Sequence, residues 1–174
     1  MRRTVTLTIL MLLGIIGISH KSHAQEKDYR TQVLFLYNFI KYISWPSPAN
    51  QFVIGVVGDS PILDELHKLA GIRKTPDGKT IIIKVIENMN AVYDCNMIYL
   101  SDMRSKDIIK LVSIIQLQPA LIVAERDGLA KKGAEINFFI QDDDKLGFSI
   151  SRKNIEGKKL KVSGELLRLA ELAD

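Results

Sequence analysis

Histidine and cysteine are almost absent from this sequence: three and one, respectively, among 174 residues. A structural zinc site draws three or four ligands from Cys, His and carboxylates, so that class of site lacks its usual donors. A lone cysteine, Cys95, also excludes an internal disulfide framework. No G-x-G-x-x-G and no G-x-x-x-x-G-K-[ST] occurs, which removes both standard phosphate loops. G-x-S-x-G is missing too, so no nucleophile elbow points to a hydrolase. Proline numbers only 5 and glycine 11, too few for extensive disorder. Mean hydropathy is +0.07, too low for a polytopic membrane protein.

What is present begins with a processing signature. Arg2 and Arg3 precede an uncharged, largely apolar run from Val5 to Ile18, and a polar stretch then leads to Ser22-His23-Ala24. The run is short of the ~20 residues a helix needs to span a bilayer. Small residues at Ser22 and Ala24 occupy the two positions a signal peptidase reads. The expectation is a signal peptide over residues 1–24, cleaved after Ala24, and a mature chain of residues 25–174 in the periplasm. Cleavage removes Arg2, Arg3 and Lys21 and no acid, so the formal charge falls from +4 to +1. With no clustered basic face, nucleic acid is not an expected partner. His20 and His23 leave with the same segment, so His67 is the sole histidine of the mature chain.

In the mature chain, Lys27 to Ile43 reads as a helix stopped by Trp45-Pro46-Ser47-Pro48, because proline cannot donate to the ladder. Phe52 to Val57 is a continuous β-branched run typical of a strand buried on both faces. Gly58-Asp59-Ser60-Pro61 then turns it into a helix from Ile62 to Ala70, with Ser60 as N-cap and Pro61 in the first helical position. Thr75 to Gly78 is a turn. Strands follow at Thr80 to Ile86, Met97 to Leu100 and Ala120 to Ala124, with an amphipathic helix from Ser105 to Leu117 between the last two. The period then changes to two: Ala134 to Gln141 and Leu146 to Ser151 flank Asp142-Asp143-Asp144-Lys145 as an antiparallel hairpin. Arg152 to Gly157 reads as a helical turn, and Ser163 to Ala173 as a terminal helix capped by Ser163. Strands alternating with helices predict one α/β domain, a three-layer and partly parallel sheet with the hairpin on one edge.

Few residues in this inventory support chemistry. His67 falls at the border of the apolar stripe formed by Leu63, Leu66 and Leu69, which reads as a surface histidine rather than a catalytic base. Asp142, Asp143 and Asp144 are consecutive, so in an extended segment their carboxylates diverge and lack the spacing of a calcium loop. Cys95, just before a strand, reads as a buried structural thiol. No catalytic residue, metal or cofactor is assigned.

Two segments stand out as interaction surfaces. On the helix from Lys27 to Ile43, Tyr42, Phe35, Phe39, Ile43, Leu36, Ile40 and Val33 cover an arc of about 180°, wider than the ~100° stripe of an ordinary surface helix. Either the helix is wedged between sheet and terminal helix, or part of the arc meets a partner or a second copy of the chain. On the second reading Phe35, Tyr37, Tyr42 and Trp45 are the partner-binding candidates. The other segment is Lys159 to Gly164, where Lys161 and Ser163 beside a helix N-terminus form a candidate site for a small carboxylate or phosphate. A plain capped helix competes with that reading.

Four stretches together resemble the YfiR-like family of exported bacterial proteins: Val33 to Pro46, Phe52 to Gly58, Gly128 to Phe139 and Leu146 to Ala170. The aromatic helix ending in Trp45-Pro46 and the closing Ser163-x-x-Leu166-Leu167-x-Leu169-Ala170 carry most of the specificity. The resemblance implies a Rossmann-like fold and a non-catalytic periplasmic regulator. It implies binding to the periplasmic sensor region of a membrane diguanylate cyclase or a sensor kinase. An OmpA-like outer-membrane lipoprotein that sequesters the regulator is implied as well, with cyclic di-GMP and biofilm formation as the output. The namesake branch carries cysteine pairs, and Cys95 alone cannot reproduce them. A module that binds a small molecule and feeds a sensor kinase is the alternative.

Overall fold

Asp28 starts the first helix by accepting the Thr31 N–H on its carboxylate at 3.0 Å, which satisfies one of the orphan donors of the opening turn. The computed structural model describes residues 27–46, 49–116 and 118–173, so the signal peptide proposed for residues 1–24 lies outside it. From that cap the chain runs through α1 (Tyr29–Tyr42), β1 (Ile43–Ser44), β2 (Gln51–Val57), α2 (Ile62–Ile72) and β3 (Thr80–Ile86). It continues through β4 (Met97–Leu100), α3 (Ile108–Ile115), β5 (Leu121–Ala124), β6 (Ile136–Ile140) and β7 (Leu146–Ile150). The closing elements are α4 (Arg152–Glu156), β8 (Lys161–Val162), α5 (Gly164–Leu169) and β9 (Glu171–Leu172). Among the described residues no helix is long and apolar enough to cross a membrane.

Seven strands form one sheet in the order β3-β2-β4-β5-β6-β7-β9. The pairs from β3 across to β6 are parallel, β7 runs antiparallel to β6, and β9 is parallel to β7. Every residue of β4 and β5 is buried, which explains their unbroken apolar sequences: a strand covered on both faces has no polar side to present. On one face Leu36, Phe39 and Ile40 of α1, Leu66 of α2 and Leu166 of α5 join Ile54, Val56, Tyr99, Val123 and Phe138. On the other, Leu111 and Ile115 of α3 join Val57, Ile98, Leu100 and Ile122. Helices on both sides of a mostly parallel sheet make the three-layer, Rossmann-like arrangement that the alternation of elements predicts.

The carboxyl end departs from expectation. The terminal helix stops at Leu169, and Glu171 and Leu172 pair with Ser149 and Ile150 as a further strand. Ala173 N–H donates to the Ile150 carbonyl at 3.0 Å. Helical preference in a short segment is weak, and ladder bonds to the otherwise bare side of β7 outweigh it. The hairpin of β6 and β7 is therefore next to the edge, and β9 is the edge itself. A second departure lies before α3, where Asp102 to Asp107 form a 3-10 turn in place of the first helical turns. α2 starts one residue later than expected, with Pro61 (φ −59°) at the N-cap in place of Ser60 and no side-chain capping bond, although Ser60 Oγ accepts the Ile62 N–H at 3.4 Å.

Gly55 and Cys95 are matched to one another. A side chain on Gly55 would begin 2.6 Å from Cys95 Sγ, so the strand admits the sulfur only because glycine lies opposite. Burial pushes the Cys95 thiol up to about 11, and the thiolate is the nucleophilic form. Native protein at pH 8 should accordingly resist iodoacetamide, with alkylation appearing at the denaturant concentration of global unfolding. Rapid labelling of the folded chain would contradict this burial.

Candidate functional site

Two segments singled out separately in the sequence meet in space. β1 and β8 form a two-stranded antiparallel ribbon outside the main sheet, with Ile43 opposite Val162 and Ser44 opposite Lys161. Ser163 N–H donates to the Tyr42 carbonyl at 2.9 Å, extending the same ladder. Tyr42 and Trp45 therefore lie beside Lys161 and Ser163. Proline at position 46 ends the extended segment, and the Ile43 side chain fixes its register by entering the core.

The aromatic residues of the ribbon are held rigidly. Trp45 donates its indole N–H to the Asn96 carbonyl at 3.0 Å and packs edge-on against Phe52, with ring centroids 4.9 Å apart. Lys41 Nζ lies 5.0 Å from the Tyr42 ring centroid, a cation–π contact that leaves the ammonium in water. Lys41, Ser44 and Lys161 are exposed, while Tyr42 and Trp45 are half-buried. A concavity of about 260 Å³ lined by Lys41, Ser44, Trp45, Phe52 and Pro76 flanks the ribbon on one side. A second of the same size is lined by Arg152, Glu156, Lys161, Val162 and Leu167. Fixed aromatic groups between concavities, with ammonium groups at the rim, make a surface suited to an apolar and acidic partner.

The other two partner-binding candidates lie elsewhere. Phe35 packs at 5.2 Å from Phe148 and 6.1 Å from Phe138 by ring centroids, covering the hairpin strands. Tyr37 donates its hydroxyl to the Lys74 carbonyl at 3.1 Å and thus braces the segment after α2. The wide apolar arc of α1 is largely a wedge against the sheet, with Val33, Leu36, Phe39 and Ile40 in the core. At the other end of the ribbon, Ser163 Oγ accepts the Leu166 N–H at 3.2 Å and caps a helix of only six residues. That capping bond uses one of the donors an anion at Ser163 would need.

His67 is exposed, as are Asp142, Asp143 and Asp144 on the hairpin tip. Sequence reasoning missed a polar cluster at the carboxyl ends of β4 and β5. Glu125 accepts from Lys27 Nζ at 2.8 Å, from the Tyr29 hydroxyl at 3.3 Å and from the Asp102 N–H at 2.7 Å. Tyr99 donates its buried hydroxyl to Gln32 at 2.8 Å. Burial raises the phenol of Tyr99 well above its ordinary range, and the nearby charge of Glu125 adds to the effect. Burial pulls the Lys27 ammonium down, but the hydrogen bond and charge of Glu125 outweigh it and hold the group above its usual value. The hydrogen bond from Arg126 holds Asp102 below the usual carboxylate range. The available clue was an acid directly after an apolar strand; its partner lies at the far end of the chain.

Comparison with known proteins adds two findings. A family model described as YfiR/HmsC-like matches residues 29–171, from the first residue of α1 into β9. No curated protein matches the chain.

Proposed function

We infer that this chain, which belongs to the YfiR/HmsC-like family, is a non-enzymatic periplasmic regulator that binds and restrains a membrane-bound signalling protein. The target is the periplasmic sensor region of a diguanylate cyclase, and the contact is made by the β1–β8 ribbon. The observation that carries the reading is the convergence of half-buried Tyr42 and Trp45 with exposed Lys161 on one ribbon between two concavities. Restraint needs no bond-making chemistry. A protein that binds the inactive state of a cyclase more tightly than the active state shifts the population by that difference in affinity. An OmpA-like outer-membrane lipoprotein competing for the same ribbon would reverse the shift.

Co-expression with a membrane diguanylate cyclase that has a periplasmic sensor region tests this. Wild-type chain is expected to lower cellular cyclic di-GMP several-fold. The double variant Tyr42→Ala/Lys161→Glu should restore it while keeping the melting temperature within about 4 °C of wild type. Unchanged cyclic di-GMP with the wild-type chain would refute the cyclase as target, and full activity of the double variant would refute the ribbon as the contact.

A further inference from the structure

The two faces of the sheet are covered differently. α1, α2 and α5 pack on one, while α3, with Leu129 and Ala134 beside it, covers the other. On the outer side of that second layer, Asp102 to Asp107 wind as a 3-10 turn ahead of α3, and a three-residue period aligns side chains three apart. Met103 and Lys106 therefore share one side, and Ile109 follows three residues on, next to Lys110. All four are exposed. Met103 is 80% exposed and Ile109 63%, so bare apolar groups alternate with ammonium groups along the row.

Lysines far apart in the sequence gather here. Gly133 lies against α3, since a side chain on it would begin 2.9 Å from Val112 Cγ2, and this sets exposed Lys131 and Lys132 on the flank of the row. Among the described residues none of Lys106, Lys110, Lys131 and Lys132 has an ion-pair partner. The acids of the same segments are each engaged already: Asp107 by Arg104, Asp102 by Arg126 and Lys27, and Asp127 by the Asn137 amide at 3.0 Å. This face thus keeps an uncompensated positive charge on a mature chain that is close to neutral.

We propose that this face docks the protein peripherally on an anionic lipid bilayer, with Met103 and Ile109 entering the headgroup layer and the lysines meeting lipid phosphates. Apolar side chains set among lysines are the pattern of segments that lie in a bilayer surface. Each basic group near a negatively charged bilayer raises affinity about fivefold. An acidic protein offers carboxylates at fixed positions, whereas lipid phosphates move to wherever a cation stands, which suits lysines that no neighbouring carboxylate holds in place. Docking by this face turns α1, on the far side of the sheet, away from the lipid. The proposal stands without the partner reading of the β1–β8 ribbon.

Co-sedimentation with vesicles tests this, using the form that remains after cleavage at Ala24, residues 25–174, so that the apolar run of the leader takes no part. Equimolar phosphatidylglycerol/phosphatidylcholine vesicles should be bound at least about tenfold more tightly than pure phosphatidylcholine vesicles, and added salt should weaken the binding. Lys106→Glu/Lys110→Glu should lose about tenfold or more, and Met103→Ser/Ile109→Ser, which keeps every charge, several-fold. All four side chains are exposed, so both variants should melt close to wild type. Arg73→Glu/Lys74→Glu makes the same change of charge on exposed residues after α2 and should leave binding within about twofold. No preference for phosphatidylglycerol overturns the proposal and leaves the face to an acidic protein. Unchanged binding in both variants of the row overturns it too. So does an equal loss in Arg73→Glu/Lys74→Glu, because net charge rather than this face then governs binding.

Discussion

Replacing Lys158 with methionine is expected to lower the free energy of unfolding by about 3–5 kcal/mol, because it leaves the charge of Glu135 buried without compensation. The two side chains are 6% and 0% exposed, with Lys158 Nζ 2.7 Å from Glu135 Oε1. The pair ties three segments together. Lys158 also donates to the Ala120 carbonyl at 3.2 Å, and Glu135 Oε2 accepts the Ile122 N–H at 2.6 Å. Removing both charges in Glu135→Leu/Lys158→Met should recover part of the loss, since an apolar pair leaves no buried charge uncompensated but takes these partners from the Ile122 N–H and the Ala120 carbonyl. Urea denaturation of the single and double variants checks this, and equal losses in both would contradict it. Burial pushes Glu135 up to about 7, against the pull of the Lys158 charge. Between the ordinary value of 4.5 and 7 the native state holds a proton that the unfolded chain releases. This group's contribution to stability is therefore full below pH 4.5 and lost as pH rises toward 7. Glu135→Gln should flatten that slope, and Lys158→Met should cost more at pH 8 than at pH 5.

Phe39→Ala should cost about 3–5 kcal/mol, the range for removing a fully enclosed aromatic ring. Phe39 is entirely buried, with ring centroids 5.0 Å from Phe148 and 6.1 Å from Phe138. Phe35 belongs to the same cluster but is only half-buried, and Phe35→Ala should cost about 1–2 kcal/mol. Denaturant midpoints of the two variants measure the contrast. If the Phe35 change proved as damaging as the Phe39 change, the outer part of the α1 arc would be as deeply committed to the core as the inner part. A partner contact at Phe35 then becomes untenable, which concentrates attention on Tyr42 and Trp45.

The interior of the sheet was legible because a strand covered on both faces must be apolar throughout. Met97 to Leu100 and Leu121 to Ala124 could hardly serve as anything else. The period-two signal of the β6–β7 hairpin was equally direct. The end of the chain was not legible, since Glu171 and Leu172 are extended only through pairing with Ser149 and Ile150, and local composition does not record a non-local ladder. The site was half legible. Tyr42, Trp45, Lys161 and Ser163 each drew notice, but only the pairing of Ile43 with Val162 shows that they are neighbours. The α1 arc was ambiguous because helical periodicity measures how wide an apolar face is, not what covers it. The pairings of Glu125 with Lys27 and of Glu135 with Lys158 were not legible: an acid directly after an apolar strand marks Glu125, but in each pair the partner is distant in sequence and brought near only by the fold.

The β1–β8 ribbon has a consequence for how the molecule comes into being. It joins the end of the first helix to the last quarter of the sequence, while β9 completes the sheet with the final few residues. Contacts of such long sequence separation form late and slowly. In an emerging chain the opening helix appears before the segment that pins it. The aromatic cluster of Phe35 and Phe39 must wait for Phe138 and Phe148 as well. Until then it presents sticky rings to its surroundings, and a holdase escort is the natural safeguard for that interval.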